Sequence, residues 1–370
     1  MVDSPTHILI ACDKFKGSLD APGVCMALAR GLTARFPGAV IRMHPIADGG
    51  EGFAASLEKP LGGRWVEVSA HDALGRPIRA RYLMADSADG PLAVIEMAEA
   101  SGMWRIRPEE RDILRASTFG TGEMMRHAIV QSGATRLVIG LGGSATNDGG
   151  AGMAAALGIR FLDEYDRELS PTPADLLGRL ARIDMSGRMP LPPITAACDV
   201  ESPLLGNHGA TRVFGPQKGA DAESIPMLEN VLETMARVSG GGETAQCPGA
   251  GAAGGLGFGL MHFTRARLVP GFELIASLTG LEEQVVAADL IVTGEGSLDA
   301  QSLTGKGPVA IARLARDHGK PVIAFCGRVD GAARECGLFD SITELAATGL
   351  PIEQLMSRAA ELLEQAALAH

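Results

Sequence analysis

Short apolar runs recur along the chain, and most of them end in glycine and charge. His7–Ala11 and Ala39–Met43 are two such runs, and Leu137–Ile139, Ile194–Ala197, Leu290–Thr293, Pro321–Phe325 and Ile342–Leu345 are five more. Runs of this length without alternation predict buried parallel strands. Between them, stretches with apolar positions three or four apart predict helices. In the first of these Val24, Leu28, Leu32 and Phe36 form the stripe, Ser18 or Asp20 is positioned to cap it, and Pro37-Gly38 ends it. Ile225–Val238 and the stretch from Pro308 to Gly319 read as further helices. Leu355, Ala359, Leu362, Leu363 and Ala366 give a last helix its face.

From Arg64 to Met97 the period changes to two. Residues 64–86 alternate about a Leu74-Gly75-Arg76-Pro77 turn, which predicts an antiparallel hairpin, and Ala93–Met97 adds a strand. Thr121 is expected to cap a helix running through Ile129. Residues 160–192 read as loop and short elements. Two α/β strands at the start and three near the end make one small doubly wound parallel sheet. The expectation is an α/β fold with a discontinuous first domain, residues 1–60 plus 283–370. A second, mixed α/β domain, residues 61–282, is inserted in it, with the active site in the cleft between the two.

The stretch Leu137–Gly152, LVIGLGGSATNDGGAG, is strand, glycine-rich bend and helix, with six glycines from Gly140 to Gly152. Such a bend brings backbone N–H groups and a helix start close to an anion. Ser144, Thr146, Asn147 and Asp148 add polar groups. Pro248–Gly259 is a second glycine tract, read as a close backbone approach to a helix or a ligand. Gly215–Gly219 is a turn carrying one cation, Lys218.

Charged strand ends collect at Asp13/Lys14/Lys16, Asp48/Glu51, Asp148, Asp199, Glu295/Asp299 and Lys306. Taken singly these are turn chemistry. Taken together, carboxylates suit Mg2+ and a general base, and lysines suit phosphate or carboxylate. Gly305-Lys306 lacks the rest of a Walker A loop, and no dinucleotide motif follows the first strand.

The net charge of −11, with no Lys/Arg run, argues against nucleic-acid and anionic-membrane partners. Six cysteines without zinc spacing read as reduced thiols of a cytoplasmic protein. No signal peptide or membrane span is evident.

DKFKGSL at Asp13–Leu19, ADGGEG at Ala47–Gly52, GGSATNDGGAGM at Gly142–Met153, FGPQKGA at Phe214–Ala220, PGAGAAGGLGFG at Pro248–Gly259 and TGEGSLDAQSLTGKGP at Thr293–Pro308 are long motifs in a fixed order. Together they resemble those of the bacterial-type glycerate kinase family. The family pattern has proline before the first Asp, where this chain has Cys12. The resemblance implies a flavodoxin-like domain with an inserted α/β domain. It also implies ATP-dependent phosphorylation of D-glycerate, usually at the 2-hydroxyl, giving 2-phosphoglycerate and ADP.

Roles are assigned on chemical grounds. Asp13, Lys14, Lys16, Ser18 and Glu51 are expected to bind glycerate. Gly142, Gly143, Ser144, Asn147 and Gly294 are expected to receive the nucleotide, and Asp148, Glu295 and Asp299 the Mg2+. Asp199 or Asp48 would accept the hydroxyl proton, and Lys306 would neutralise transferred charge. Phosphorylation at the 3-hydroxyl stays open, as does a homodimer. A non-catalytic small-acid sensor and a nicotinamide-dependent oxidoreductase are the rival readings.

Overall fold

In a computed structural model of the chain, residues 5–46, 52–300, 302–304 and 307–370 are described. Asp48, Glu51 and Lys306, three of the expected site residues, lie outside them. The chain divides into two compact units, residues 1–48 with 272–370, and residues 49–271. Followed along the chain, β1 (His7–Cys12) and β2 (Val40–Met43) open the first unit. The second holds β3 (Arg64–His71), β4 (Pro77–Ser87), β5 (Gly90–Glu96), β6 (Arg136–Gly140), β7 (Arg160–Leu162), β8 (Arg182–Asp184), β9 (Ile194–Ala197) and β10 (Arg267–Val269). β11 (Leu290–Leu298), β12 (Val322–Val329) and β13 (Ser341–Glu344) complete the first.

The first unit is one parallel sheet in the order β13-β12-β11-β1-β2. Counting only its own strands, the order is 2-1-3-4-5, the flavodoxin-like arrangement. Successive residues of β1 serve opposite helical layers. Ile8, Ile10 and Cys12 pack with Val24, Leu28, Leu32 and Leu363. Leu9 and Ala11 pack with Leu281, Val285, Ile311 and Ala315. The helix Ala21–Arg35 is capped by Asp20, whose carboxylate accepts from Gly23 N at 2.9 Å. Ser18 does not cap it.

The second unit is a six-stranded mixed sheet, β10-β9-β6-β5-β4-β3, with a separate β7-β8 pair. The β3-β4-β5 meander is antiparallel and β5, β6, β9 and β10 run parallel. The hairpin turn is built on buried Asp72, whose Oδ1 accepts from Leu74 N and Arg76 N at 2.9 Å each. The helix Phe53–Glu58 belongs to this unit, because the Glu96 carboxylate accepts from Gly52 N and Ala54 N at its start.

Three local expectations are corrected. The helix Phe119–Val130 begins after Thr118, not Thr121; Thr121 is buried inside it, its hydroxyl 2.9 Å from that of Ser101. The final helical stretch breaks at Arg358 into Ile352–Ser357 and Ala359–Ala369. Gly294 to Leu298, read as the loop after a strand, extend β11 itself by pairing with β12.

Candidate functional site

In the first unit, β1 and β11 lie side by side and parallel, with Cys12 opposite Gly294. This is the point where strand order reverses, and in open α/β sheets ligands bind at the carboxyl ends there. Asp13 and Glu295 sit at that edge. Asp13 N donates to Gly294 O at 2.9 Å, and Lys14 N donates to Asp13 Oδ1 at 2.6 Å. Two motifs distant in sequence are thus joined.

Glu295 is part-buried and its Oε1 has no hydrogen-bond partner among the described residues. Burial pushes its pKa up to about 7; a hydrogen bond from Ser302 opposes the shift, and the charges of Asp13 and Asp299 add to it. Asp299 makes a turn with Ser302, accepting from its backbone N–H at 3.3 Å. Lys14 and Lys16 are exposed. The Ser18 hydroxyl donates to Met356 O at 2.5 Å, so its hydrogen is already taken. Gly294 is buried within the sheet; a Cβ there would stand 2.0 Å from Phe325 O. Its close approach is to the neighbouring strand.

In the second unit, β6 runs buried into Leu141 and then into the Gly142-Gly143 bend, with Gly143 at φ +74°. The bend is tied to the segment before it: Met103 N donates to Gly143 O at 2.8 Å and Ala145 N to Ser101 O at 2.9 Å. Thr146, Asn147 and Asp148 are fully buried.

Asp148 accepts from Thr118 N at 2.7 Å, Thr118 Oγ1 at 2.8 Å, Gly150 N at 3.0 Å and Gly152 N at 3.1 Å. Burial raises its pKa against these four donors. Three N–H groups and a hydroxyl of the chain itself thus engage a carboxylate expected to hold a metal, three of them on Oδ2 and one on Oδ1. Two of those donors, Gly150 N and Gly152 N, lie at the start of the helix Ala151–Ala156, expected to face a ligand. Asp148 joins the bend to the helix Phe119–Val130.

Ser144 remains in the bend, 6 % exposed, and accepts a hydrogen bond from Lys218 Nζ at 2.7 Å. The same ammonium donates to Thr146 O at 2.8 Å. Lys218 is only 3 % exposed. Burial lowers its pKa to about 7, with the Asp148 charge opposing that shift. Asn147 Nδ2 donates to Thr211 Oγ1 at 3.0 Å, while its Oδ1 is buried with no partner among the described residues. The second glycine tract packs on the same bend. Gly149 N donates to Gly254 O at 3.0 Å, and a Cβ on Gly254 would stand 1.9 Å from Thr146 O. The close approach expected of this tract is thus to the first glycine bend.

Asp199 lies just past the carboxyl end of β9, which pairs with β6, and accepts from Gly271 N at 2.9 Å. Ser117, which donates weakly to Asp148 at 3.4 Å, also lines a cavity of about 580 Å³ with His71, Arg115, Phe119 and Thr172. Sequence reasoning left Lys218 without a role and overlooked Thr118. The signal for the first was a lone lysine inside a Gly-Pro-Gln-Lys-Gly turn. Thr118 carried none, because its partner is thirty residues away.

A parallel sheet of this order, with a mixed sheet and its glycine bend in the second unit, defines a two-domain α/β protein. The glycerate kinase family profile matches residues 8–369, and the chain belongs to that family. It is 42 % identical over 369 residues to a glycerate kinase of Bacillus subtilis, covering 97 % of this chain and 95 % of that one. It is 42 % identical over 326 residues to the glycerate 2-kinase of Escherichia coli, covering 86 % and 84 %. A crystal structure assigned to glycerate kinase 2 of Salmonella typhimurium LT2 superposes with a TM-score of 0.85 at 37 % identity, covering 98 % of this chain and 96 % of that one.

Proposed function

We propose that this protein transfers the terminal phosphoryl group of ATP to the 2-hydroxyl of D-glycerate, giving 2-phosphoglycerate and ADP. Family membership supports the reaction class. The observation that carries the site is the buried Oε1 of Glu295, in the carboxyl-terminal half of β11, which has no partner among the described residues. A buried polar atom without a partner is costly, and a ligand that supplies the partner explains its retention.

No three His, Cys, Asp or Glu side chains among the described residues converge to hold a metal on their own. A Mg2+ arriving with nucleotide phosphates needs only one or two protein carboxylates. Glu295 fits that need, with Asp299 as its neighbour. When bound, the ion would neutralise charge on the transferring group.

The remaining roles fall to the chain's own groups. Gly142, Gly143 and Ser144 receive phosphate oxygens, and Asn147 shapes the bend beneath them. Lys14 and Lys16 attract the glycerate carboxylate, with Asp13 bonding a substrate hydroxyl. Asp199 or Asp48 takes the proton of the attacking hydroxyl. Lys16→Ala should raise the D-glycerate KM and leave the ATP KM unchanged.

The assay is ADP release from Mg-ATP with and without D-glycerate, with the product identified by phosphorus NMR. Release that does not depend on D-glycerate would remove this reading. A 3-phosphoglycerate product would keep the kinase and correct the position. The chain is expected to work in the cytoplasm; among the described residues no helix is long and apolar enough to cross a membrane.

A further inference from the structure

Lys218 closes a one-turn 3-10 segment, Pro216–Lys218, that Gly219 ends at φ +100°. Its stem and ammonium pass into the second unit and stop behind the Gly142–Asn147 bend. An ammonium has three N–H donors and no acceptor. Two of the three are accounted for, on Ser144 Oγ and Thr146 O. Ser144 must therefore act as acceptor toward Lys218, and its own O–H hydrogen is turned toward some other acceptor.

Among the described residues no carboxylate forms an ion pair with Lys218. Asp148 is the charge that acts on it, and that carboxylate is engaged by Thr118, Gly150 and Gly152. A buried ammonium lacking a bonded counter-ion is expensive unless an anion supplies one. Asn147, fully buried in the same bend, donates from Nδ2 to Thr211 Oγ1, and its Oδ1, an acceptor with no partner among the described residues, is left for a donor. Thr211 lies on the helix Ala210–Phe214 that leads to Lys218. One segment, residues 210–218, thus holds the bend at both ends.

We propose that Lys218 is a positioning residue for phosphate. Locked behind the glycine bend, it fixes the Ser144 hydroxyl as a donor and gives the bend the positive charge that an anionic phosphate chain requires. This rests on the reading that the bend receives the nucleotide. It adds the residue that makes an acceptor-rich turn attractive to an anion.

The test compares Lys218→Met, Ser144→Ala and the double variant, with ADP binding measured calorimetrically and KM and kcat measured for both substrates. Lys218→Met should weaken ADP by about tenfold or more and raise the ATP KM, with the D-glycerate KM held within about twofold. The double variant should be no worse than Lys218→Met by more than about twofold, because the lysine acts through the serine. ADP binding by Lys218→Met within about twofold of wild type, or multiplicative effects of the two substitutions, would overturn the proposal.

If Lys218→Met does not fold, Ser144→Ala supplies the readout: it removes the donor that the lysine fixes, so ADP should bind about tenfold more weakly with the D-glycerate KM within about twofold, and ADP binding within about twofold of wild type would overturn the proposal. Wild-type turnover with D-glycerate separates the two failures: an inactive wild type removes the kinase reading, whereas an active one with unaltered Lys218→Met removes only this inference.

Discussion

The Asp148 carboxylate accepts both the backbone N–H and the hydroxyl of Thr118, at 2.7 and 2.8 Å, and so ties the glycine bend to the start of the helix Phe119–Val130. All four of its close partners are donors. Asp148→Asn would turn an amide N–H₂ toward some of them and leave buried groups unpaired. The expected loss is about 3 kcal/mol, read as a lower midpoint in urea denaturation, accompanied by weaker ADP binding. An unchanged midpoint would mean that the bend does not depend on this network.

Glu295 sets one pH dependence. Its folded-state pKa of about 7 lies above the ordinary 4.5, so the native state holds more protons than the unfolded state between those values. Stability should therefore fall as pH rises from about 4.5 to about 7 in the metal-free protein. Discounted for partial exposure, the change is on the order of 2 kcal/mol. Glu295→Gln should flatten that part of the profile. Mg2+ should restore stability above pH 7 in wild type but not in Glu295→Gln, if this carboxylate takes the ion. Thermal melts across pH, with and without Mg2+, check both.

Lys218 sets the opposite dependence in a different window. Its folded pKa of about 7 lies below the ordinary 10.5, so here the unfolded state holds more protons. Stability should rise with pH from about 7 to about 10, by at most a few kcal/mol. Lys218→Met should remove that rise, and an identical slope in the two proteins would contradict it.

Gly254 tests the packing of the two glycine tracts. It sits at φ +68°, and a Cβ would fall 1.9 Å from Thr146 O, a backbone atom that cannot swing away. Gly254→Ala should cost more than about 3 kcal/mol or abolish soluble protein, with the bend displaced. Gly240→Ala is the control: φ is +73° but nothing lies within 4 Å, so only the backbone cost of about 1 kcal/mol applies.

The strands of the parallel sheet were legible because each is a short buried run, and burial on both faces leaves that mark in sequence. The β3-β4 hairpin was legible because one face meets a core and period two follows. The bounds of β11 were not. Gly294–Leu298 looks like a loop by composition, yet Phe325 O lies against Gly294 so closely that only glycine fits between paired strands. The helix starting at Phe119 was misplaced by three residues for a related reason. Its start is fixed by Asp148, thirty residues on, and not by a neighbouring cap.

The sequence by itself determined the strand pattern, the family and the glycine-rich and charged loops, since these are written in local periodicity and in contiguous motifs. Only the tertiary structure decided which polar groups are spent inside the fold and which are kept for a ligand. Thr118, thirty residues away, donates to Asp148, and Met356 O takes the Ser18 hydrogen, whereas Glu295 and Asn147 each keep a buried oxygen without a partner among the described residues. Lys218 is buried where its residue type favours solvent. Hydrogen-bond partnership and burial depend on what the rest of the chain brings alongside, and no stretch of sequence states that for itself.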